Sequence, residues 1–147
     1  DFKFQMKTIT MYLFGSWAWF IFSMILLIML FCYPFTRSIQ STRKLVKNCA
    51  EWIIRLTRLD LVVEGEENLV DGSSILVANH ASYTDPMILA AALPDNYAFV
   101  AKKELKYIPF AGYVLGKIGT HLVDRRDARK GADDFKKIMK SSKQIFS

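Results

Sequence analysis

The chain has 147 residues, 52% of them apolar, with a formal net charge of +6 at pH 7. This length leaves room for one domain, or for a small domain with a membrane anchor. A basic chain can bind nucleic acid, but much of this basic excess lies beside one apolar segment, where lipid headgroups explain it better. We therefore expect a membrane partner and no nucleic acid.

The first element in chain order is that apolar segment. Residues 8–36 contain no Asp, Glu, Lys or Arg, whereas about 20 apolar residues suffice to cross a bilayer. The run is too long for the apolar core of a signal peptide. It predicts a membrane segment over residues 1–36, which either crosses the bilayer or bends and stays in one leaflet. Basic residues are denser after the segment than before it, so the positive-inside rule places the rest of the chain in the cytoplasm.

Residues 37–58 have the pattern of an amphipathic helix with a mostly basic polar face. The apolar positions at helical spacing are Leu45, Cys49, Trp52, Ile53 and Leu56, and the charged positions opposite them are Lys44, Lys47, Glu51, Arg55 and Arg58. Such a helix can lie on anionic lipid at the membrane surface, or it can pack on the domain with its charges in water. The sequence pattern does not distinguish between these two arrangements.

From residue 59 onward, short apolar runs alternate with helical patterns. The strand-like runs are "LDLVVE" (59–64), "SILVAN" (74–79), "YAFVA" (97–101) and "THLVD" (120–124), and the helical patterns cover 85–93, 104–119 and 128–146. Alternation of this kind is typical of an α/β domain with a largely parallel sheet. We therefore predict one such domain over residues 59–147.

His80 directly follows the second strand-like run, and Asp85 lies five positions later with Pro86 behind it. If Asp85 caps a helix that begins at Pro86, residues 81–84 form a loop that can bring the carboxylate to the imidazole. Such a contact would fix the tautomer of His80 and leave its other nitrogen free as a general base. Asp85 could instead be only a helix cap. Ser82 could be a nucleophile or, as we prefer, a residue with a loop hydrogen bond. His80 and His121 lack metal-ligand spacing, and we expect no metal.

Three blocks resemble the glycerolipid acyltransferases, the family of 1-acylglycerol-3-phosphate acyltransferases. Residues 79–85, "NHASYTD", match the family signature N-H-x-S-x-x-D. Residues 119–125, "GTHLVDR", resemble G-x-x-F-I-D-R, with Leu and Val in place of Phe and Ile. Between them, "AKKEL" at 101–105 and "IPF" at 108–110, followed by Gly112, resemble A-K-x-E-L…P…G. The resemblance covers residue 40 to the end.

The resemblance implies a mixed, largely parallel sheet flanked by helices, with the sheet incomplete here. It implies transfer of a fatty acyl group from acyl-CoA or acyl-carrier protein to the hydroxyl of a lysophospholipid, with no further cofactor. His80 would be the catalytic base and Asp85 its orienting partner. The substrate-binding residues implied are Arg125, Lys102, Ser82 and Asn79.

The family's next block, E-G-T-R, does not occur in these 147 residues. We therefore expect the chain to be the amino-terminal part of an enzyme. The alternative is a catalytically inactive, truncated module that binds membranes. Gly112 and Gly116 form a G-x-x-x-G pattern that indicates either close packing inside the domain or a surface that faces the membrane.

Overall fold

The computed structural model describes residues 2–70, 74–108 and 111–124, together with positions 130, 133, 134 and 136. Within these residues the protein is mostly helical. The helices are α1 (Phe2–Cys32), α2 (Ile39–Leu56), α3 (Asp85–Ala92) and α4 (Ala111–Lys117), and the strands are β1 (Val100–Lys102) and β2 (His121–Val123). Short 3-10 helices cover Tyr33–Phe35, Glu66–Asn68 and Lys103–Tyr107. Most of the predicted final helix, 128–146, lies outside the described residues, and its described positions 130, 133, 134 and 136 are helical.

Helix α1 presents apolar side chains to its surroundings over most of its length. Met11, Tyr12, Trp19 and Phe31 are all exposed, and only Ile21 and Ile25 on this helix are buried among the residues with described side chains. Residues Gln5–Phe35 form one segment long and apolar enough to cross a membrane by length and composition. An exposed apolar surface of this extent indicates contact with lipid or with another apolar partner.

Helix α2 runs back along the second half of α1 and connects it to the rest of the chain. It begins with a capping box, in which Ser38 accepts a hydrogen bond from the backbone of Ser41 and the Ser41 hydroxyl accepts one from the backbone of Ser38. Cys49 packs against Ile21 and Ile25 of α1. On its other side, α2 packs against α3 through a cluster of Ala50, Ile54 and Ala91. The helix is therefore an interior layer with two buried stripes.

The apolar face predicted for α2 is correct except at Trp52. Leu45, Ile53 and Leu56 pack against the cluster at α1 as expected. Trp52 is 52% exposed, and the guanidinium of Arg55 lies 5.5 Å from the centre of its ring. The second stripe, which faces α3, consists of small or β-branched residues that the heptad-like spacing did not single out.

Three cations at the junction of these helices bind backbone carbonyl oxygens. Lys47 Nζ donates to the carbonyls of Ala91 and Leu93 at 2.7 and 2.8 Å, at the end of α3. Arg43 donates to the carbonyls of Ile118 and Asn96 at 2.7 and 3.0 Å. Lys117 lies over the ring of Tyr33 at 4.5 Å and donates to its carbonyl at 3.1 Å. The last carbonyls of a helix lack partners within the helix, so Lys47 supplies donors that the end of α3 itself does not. The carbonyl of Tyr33 already accepts from the backbone and the hydroxyl of Thr36, and Lys117 adds a charged donor to it.

The two strands form a parallel pair connected through α4. Val100 pairs with His121, Ala101 with Leu122 and Lys102 with Val123. This is the βαβ connection that alternating strand and helix patterns indicate. The second strand lies inside the predicted run 120–124. The first overlaps the predicted run 97–101 only at residues 100 and 101 and extends one residue beyond it.

The two earlier strand predictions, residues 59–64 and 74–79, do not correspond to strands in the structure. Both segments lie outside any sheet, and their apolar side chains are exposed, with Val77 at 89%. An apolar run of strand length forms a strand only where another strand offers hydrogen bonds, and no described segment pairs with these two. The sheet is consequently smaller than predicted.

Candidate active site

The loop between residues 79 and 85 brings the imidazole of His80 to the carboxylate of Asp85. Nδ1 of His80 lies 2.9 Å from Oδ2 of Asp85. An ionised carboxylate can only accept, so the proton of this hydrogen bond belongs to Nδ1 and the neutral ring keeps Nε2 as its acceptor. The predicted contact across the loop is therefore present, and it is made within six consecutive residues.

The same carboxylate oxygen also closes the loop from inside. Oδ2 of Asp85 accepts the backbone N–H groups of Ala81 at 2.8 Å and Ser82 at 2.9 Å. Hydrogen bonds to the charged form favour it, and the bond from Ser82 is the largest cause that lowers the pKa of Asp85 below its ordinary value of 3.8. Desolvation is the second-largest cause and raises the pKa, and the bonds from His80 and Ala81 lower it further. Asp85 is thus held as a carboxylate while it orients His80.

One detail of the predicted loop is wrong. Asp85 is not the N-cap of α3, because the helix already includes it and the N-cap position is Thr84, whose side chain makes no capping bond. Pro86 still lies in the first turn, where the missing N–H has no cost. Since the Asp85 side chain points back at residues 80–82, it orients the histidine instead of capping the helix.

The hydroxyl of Ser82 bonds within the loop. It lies 2.9 Å from the hydroxyl of Thr84 and accepts the Thr84 N–H at 3.2 Å. This is the loop hydrogen bond preferred at the outset over a nucleophilic role. Thr84 was not among the predicted residues, and the signal that could have found it is the S-x-T spacing within the motif.

The pair is open to solvent on the side away from Asp85. The side chain of His80 is 64% exposed and that of Asp85 is 20% exposed. Tyr83 between them is fully exposed, at 102%. An exposed ring with its orienting partner beneath it can be reached by a hydroxyl from outside the protein.

The other predicted site residues are placed less completely. Asn79 is exposed and directly precedes His80 in the chain. Lys102 is exposed at the carboxyl end of β1, the edge of a parallel sheet where functional residues gather. No hydrogen bond or ion pair joins Lys102 to His80 in the part of the chain that the structure describes. Arg125 lies outside the described residues. His121 is the first residue of β2, and no hydrogen bond or ion pair joins it to His80 among the described residues.

Metal and thiol chemistry find no support in the described residues. They contain no group of three or more His, Cys, Asp or Glu side chains that could hold a metal ion. Cys49 is buried between α1 and α2, and desolvation raises the pKa of its thiol above the ordinary value. A protonated, buried thiol is a poor nucleophile.

Comparison with known proteins assigns the chain to a family. Residues 60–146, more than half of the chain, match the family model described as Acyltransferase. The chain therefore belongs to the acyltransferase family, and the His80–Asp85 loop lies inside the matched region.

The curated relatives carry a more specific name. A 1-acyl-sn-glycerol-3-phosphate acyltransferase of Saccharomyces cerevisiae is 37% identical over 86 residues, which cover 58% of this chain and 28% of that protein. Proteins of the same name from Helicobacter pylori and Borreliella burgdorferi are 43% and 29% identical, over 40% and 60% of this chain and 24% and 36% of their own lengths. The chain thus spans about a third or less of each of these relatives. No solved structure gives a significant match.

Proposed function

We propose that the protein to which this chain belongs is a membrane-bound acyltransferase. It transfers a fatty acyl group from acyl-CoA or acyl-carrier protein to the hydroxyl of lysophosphatidate or a related lysophospholipid. The names of the curated relatives support the acceptor class. The observation that carries the proposal is the 2.9 Å contact between His80 and Asp85, because it leaves a free, exposed ring nitrogen.

In the proposed reaction, Nε2 of His80 takes the proton from the acceptor hydroxyl as the oxygen attacks the thioester carbonyl carbon. Asp85 keeps the ring in the required tautomer and stabilises the imidazolium that forms. When the tetrahedral intermediate collapses, the C–S bond breaks and the thiolate takes the proton back from the imidazolium. No acyl-enzyme forms, so the reaction needs no Ser or Cys nucleophile and no cofactor besides the donor.

The acceptor phosphate needs cationic or polar partners. Lys102 supports such a role by its exposure at the carboxyl end of β1, and Arg125 would supply a guanidinium suited to a phosphate. Asn79 and Ser82 flank His80 in the chain and complete the substrate-binding set that we propose. Proximity contributes much of the remaining rate, since two substrates must be held together.

Membrane attachment is the second part of the proposal. Residues 1–36 form the membrane segment, 37–58 the basic amphipathic helix at its surface and 59–147 the acyltransferase domain. The exposed apolar surface of α1 supports this attachment. By the charge bias of the flanking residues, the catalytic domain lies on the cytoplasmic side.

The test measures acyl transfer by the full-length protein in membranes, with labelled lysophosphatidate and with acyl-CoA and acyl-carrier protein as separate donors. We expect transfer with one of the donors, and His80→Ala should lower its rate by about 10²–10⁴-fold, the usual contribution of a general base. His121→Ala removes the other histidine of the chain and serves as the matched control, with a rate near that of the wild type. A wild-type rate in His80→Ala would reject the base. No transfer with either donor would favour a catalytically inactive membrane-binding module.

A further inference from the structure

A cavity lies where the end of α2 meets the middle of α1, on a different part of the molecule from the His80 loop. Its volume is about 460 Å³, and its lining consists of Phe14, Trp17, Arg55, Leu56, Thr57 and Arg58. Two guanidinium groups and two aromatic rings thus border one open space. The indole of Trp17 is fixed there, because its Nε1 donates to the carbonyl of Leu56 at 3.2 Å.

Arg58 holds this position in a backbone conformation that favours glycine. Its φ is +54°, and it is the one non-glycine residue with positive φ in the described part of the chain. Its N–H bonds to the Arg55 carbonyl, and the N–H of Leu59 bonds to the Ile54 carbonyl, so the end of α2 is a Schellman motif. Glycine is the usual residue at this point because a side chain is strained there. An arginine that occupies such a position suggests that its guanidinium has a use.

The charges of this site are available for a ligand. Arg55 and Arg58 are both exposed, and neither makes an ion pair with any described residue. The guanidinium carbon of Arg55 lies 5.5 Å from the centre of the Trp52 ring, and Arg55 also lines the cavity. Two uncompensated guanidinium groups form a site for an anion with several acceptor oxygens, such as a phosphate.

The surroundings of the cavity are apolar and identify the kind of phosphate. Exposed side chains of α1, among them Leu13, Phe14 and Phe20, continue from the cavity on both sides of Trp17. A free phosphate ion makes no favourable contact with an apolar surface, whereas the acyl chains of a phospholipid can cover it. Trp rings that join an apolar surface to a polar one are typical of the headgroup level of a membrane.

The position of α2 along α1 gives an independent reason. If α1 crossed the bilayer upright from Gln5, Trp17 would lie about 18 Å further along the helix, near the middle of the hydrocarbon core of about 30 Å. Arg55 and Arg58 lie beside Trp17 and would enter the core with it, at a large cost in free energy. If the two guanidinium groups instead bind lipid phosphates, they lie at the depth of the headgroups, and the free-energy cost of placing them in the hydrocarbon core is avoided.

We propose that Arg55 and Arg58, together with the rings of Trp17 and Phe14, bind the phosphate headgroup of an anionic membrane phospholipid. The site is separate from the His80 loop, and its occupation seats the α1–α2 hairpin at the membrane surface. It rests on the membrane attachment proposed above but not on acyl transfer, so it can be tested whether or not the protein turns over substrate.

The test uses the full-length protein in uncharged detergent, titrated with short-chain phosphatidylglycerol and followed by tryptophan fluorescence and by the mass of bound lipid. Arg58→Gly should weaken phosphatidylglycerol binding about tenfold, the scale of one lost charge-assisted hydrogen bond. The same substitution should raise the melting temperature, because glycine relieves the strained backbone. Arg55→Gln should weaken binding to a similar extent. If Arg58→Gly raised the melting temperature but kept the affinity within twofold of wild type, Arg58 would only end the helix and would not bind lipid. That result would overturn the proposal.

Matched controls separate this site from general electrostatics. Arg37→Gly makes the same substitution and the same loss of charge at the opposite end of the hairpin, and Lys102→Gln alters the proposed acceptor site. Both should keep the wild-type affinity. A tenfold loss in Arg37→Gly would place the lipid at the other end of the hairpin, and one in Lys102→Gln would place it at the acceptor site; either result rejects the proposal. So would equal binding of short-chain phosphatidylcholine, or displacement of the lipid by millimolar inorganic phosphate.

Discussion

The loop at residues 79–85 and the junction around α2 organise polar groups in opposite ways. In the loop, one carboxylate oxygen collects three donors from residues 80–82, all within six positions of the sequence. At the junction, Arg43 and Lys47 of α2 and Lys117 of α4 reach carbonyls 44 to 84 positions away. The first arrangement is local and exposed, and the second is non-local and partly buried. The comparison suggests that the chemical pair needs little of the fold to form, whereas its position relative to the membrane depends on the junction.

The largest expected effect falls on the loop. Asp85→Asn replaces an acceptor-only group by an amide that can also donate, so the tautomer of His80 is no longer fixed. We expect the rate of acyl transfer by the full-length protein to fall by about 10²–10⁴-fold, the range for a disabled general base. Asp60→Asn, at an exposed carboxylate at the start of the domain, is the matched control. Comparable rates for the two variants would show that Asp85 serves the loop and not the reaction.

The junction should respond in stability. Lys117→Met removes the cation from the Tyr33 ring and leaves the carbonyl of Tyr33, the first residue of the 3-10 helix, without its charged donor. The expected loss is about 1–3 kcal/mol of unfolding free energy, measured by thermal unfolding in detergent. Lys106→Met makes the same change at an exposed lysine of the 3-10 helix Lys103–Tyr107 and should be close to neutral. If the two variants had the same melting temperature, the contacts of Lys117 would contribute nothing to stability.

The two glycines of α4, Gly112 and Gly116, differ in how closely their surroundings pack against them. A Cβ on Gly112 would run into the Lys106 carbonyl, whereas a Cβ on Gly116 would meet open space. Gly112→Ala should cost about 1–3 kcal/mol, and Gly116→Ala should stabilise the helix by up to about 1 kcal/mol. Of the two interpretations of this G-x-x-x-G pattern, close packing therefore holds for Gly112 only. Melting temperatures that shift in the same direction would contradict this assignment.

The smallest expected effect is a dependence on acid. The pKa of Asp85 is lowered in the folded chain, so its contribution to stability is fully present above the ordinary value of 3.8 and is lost as the pH falls through the lower folded value. Wild type should therefore be more stable than Asp85→Asn at pH 7, and the gap should close under stronger acid. Unfolding curves for both proteins at several pH values measure it. A gap that is constant down to the strongest acid would mean that the carboxylate charge is not involved.

The sequence predicts what its local pattern determines. The H-x4-D spacing with Pro86 predicted the His80–Asp85 contact as one of two alternatives, the other being that Asp85 only caps the helix, and the structure has the contact. The apolar length of residues 1–36 and the periodicity of residues 37–58 predicted the positions of α1 and α2. The apolar runs at 97–101 and 120–124 predicted two strands, which the structure has at Val100–Lys102 and His121–Val123. The runs at 59–64 and 74–79 have equally clear patterns but no paired neighbour, and pairing is not a property of the run itself.

Other features could not be read from the pattern because they depend on distant groups. Nothing in the charge pattern of α2 separates Lys47, which binds the end of α3, from Lys44, which is exposed. Likewise, helical spacing predicts that Trp52 is buried and does not single out Ile54. The structure has Trp52 exposed and Ile54 buried, because α3 packs on the side of Ile54. Arg58 looks like one more surface charge until its positive φ is known.

The central claim is that Asp85 holds a proton on Nδ1 of His80 and leaves Nε2 free to accept one. It is tested most directly by the ¹⁵N chemical shifts of the His80 ring in selectively labelled protein, at a pH where the ring is neutral. We predict a protonated Nδ1 and an unprotonated Nε2 in the wild type, and a mixture of both tautomers in Asp85→Asn. A wild-type ring protonated at Nε2 would contradict the account, because no base would then face the acceptor hydroxyl.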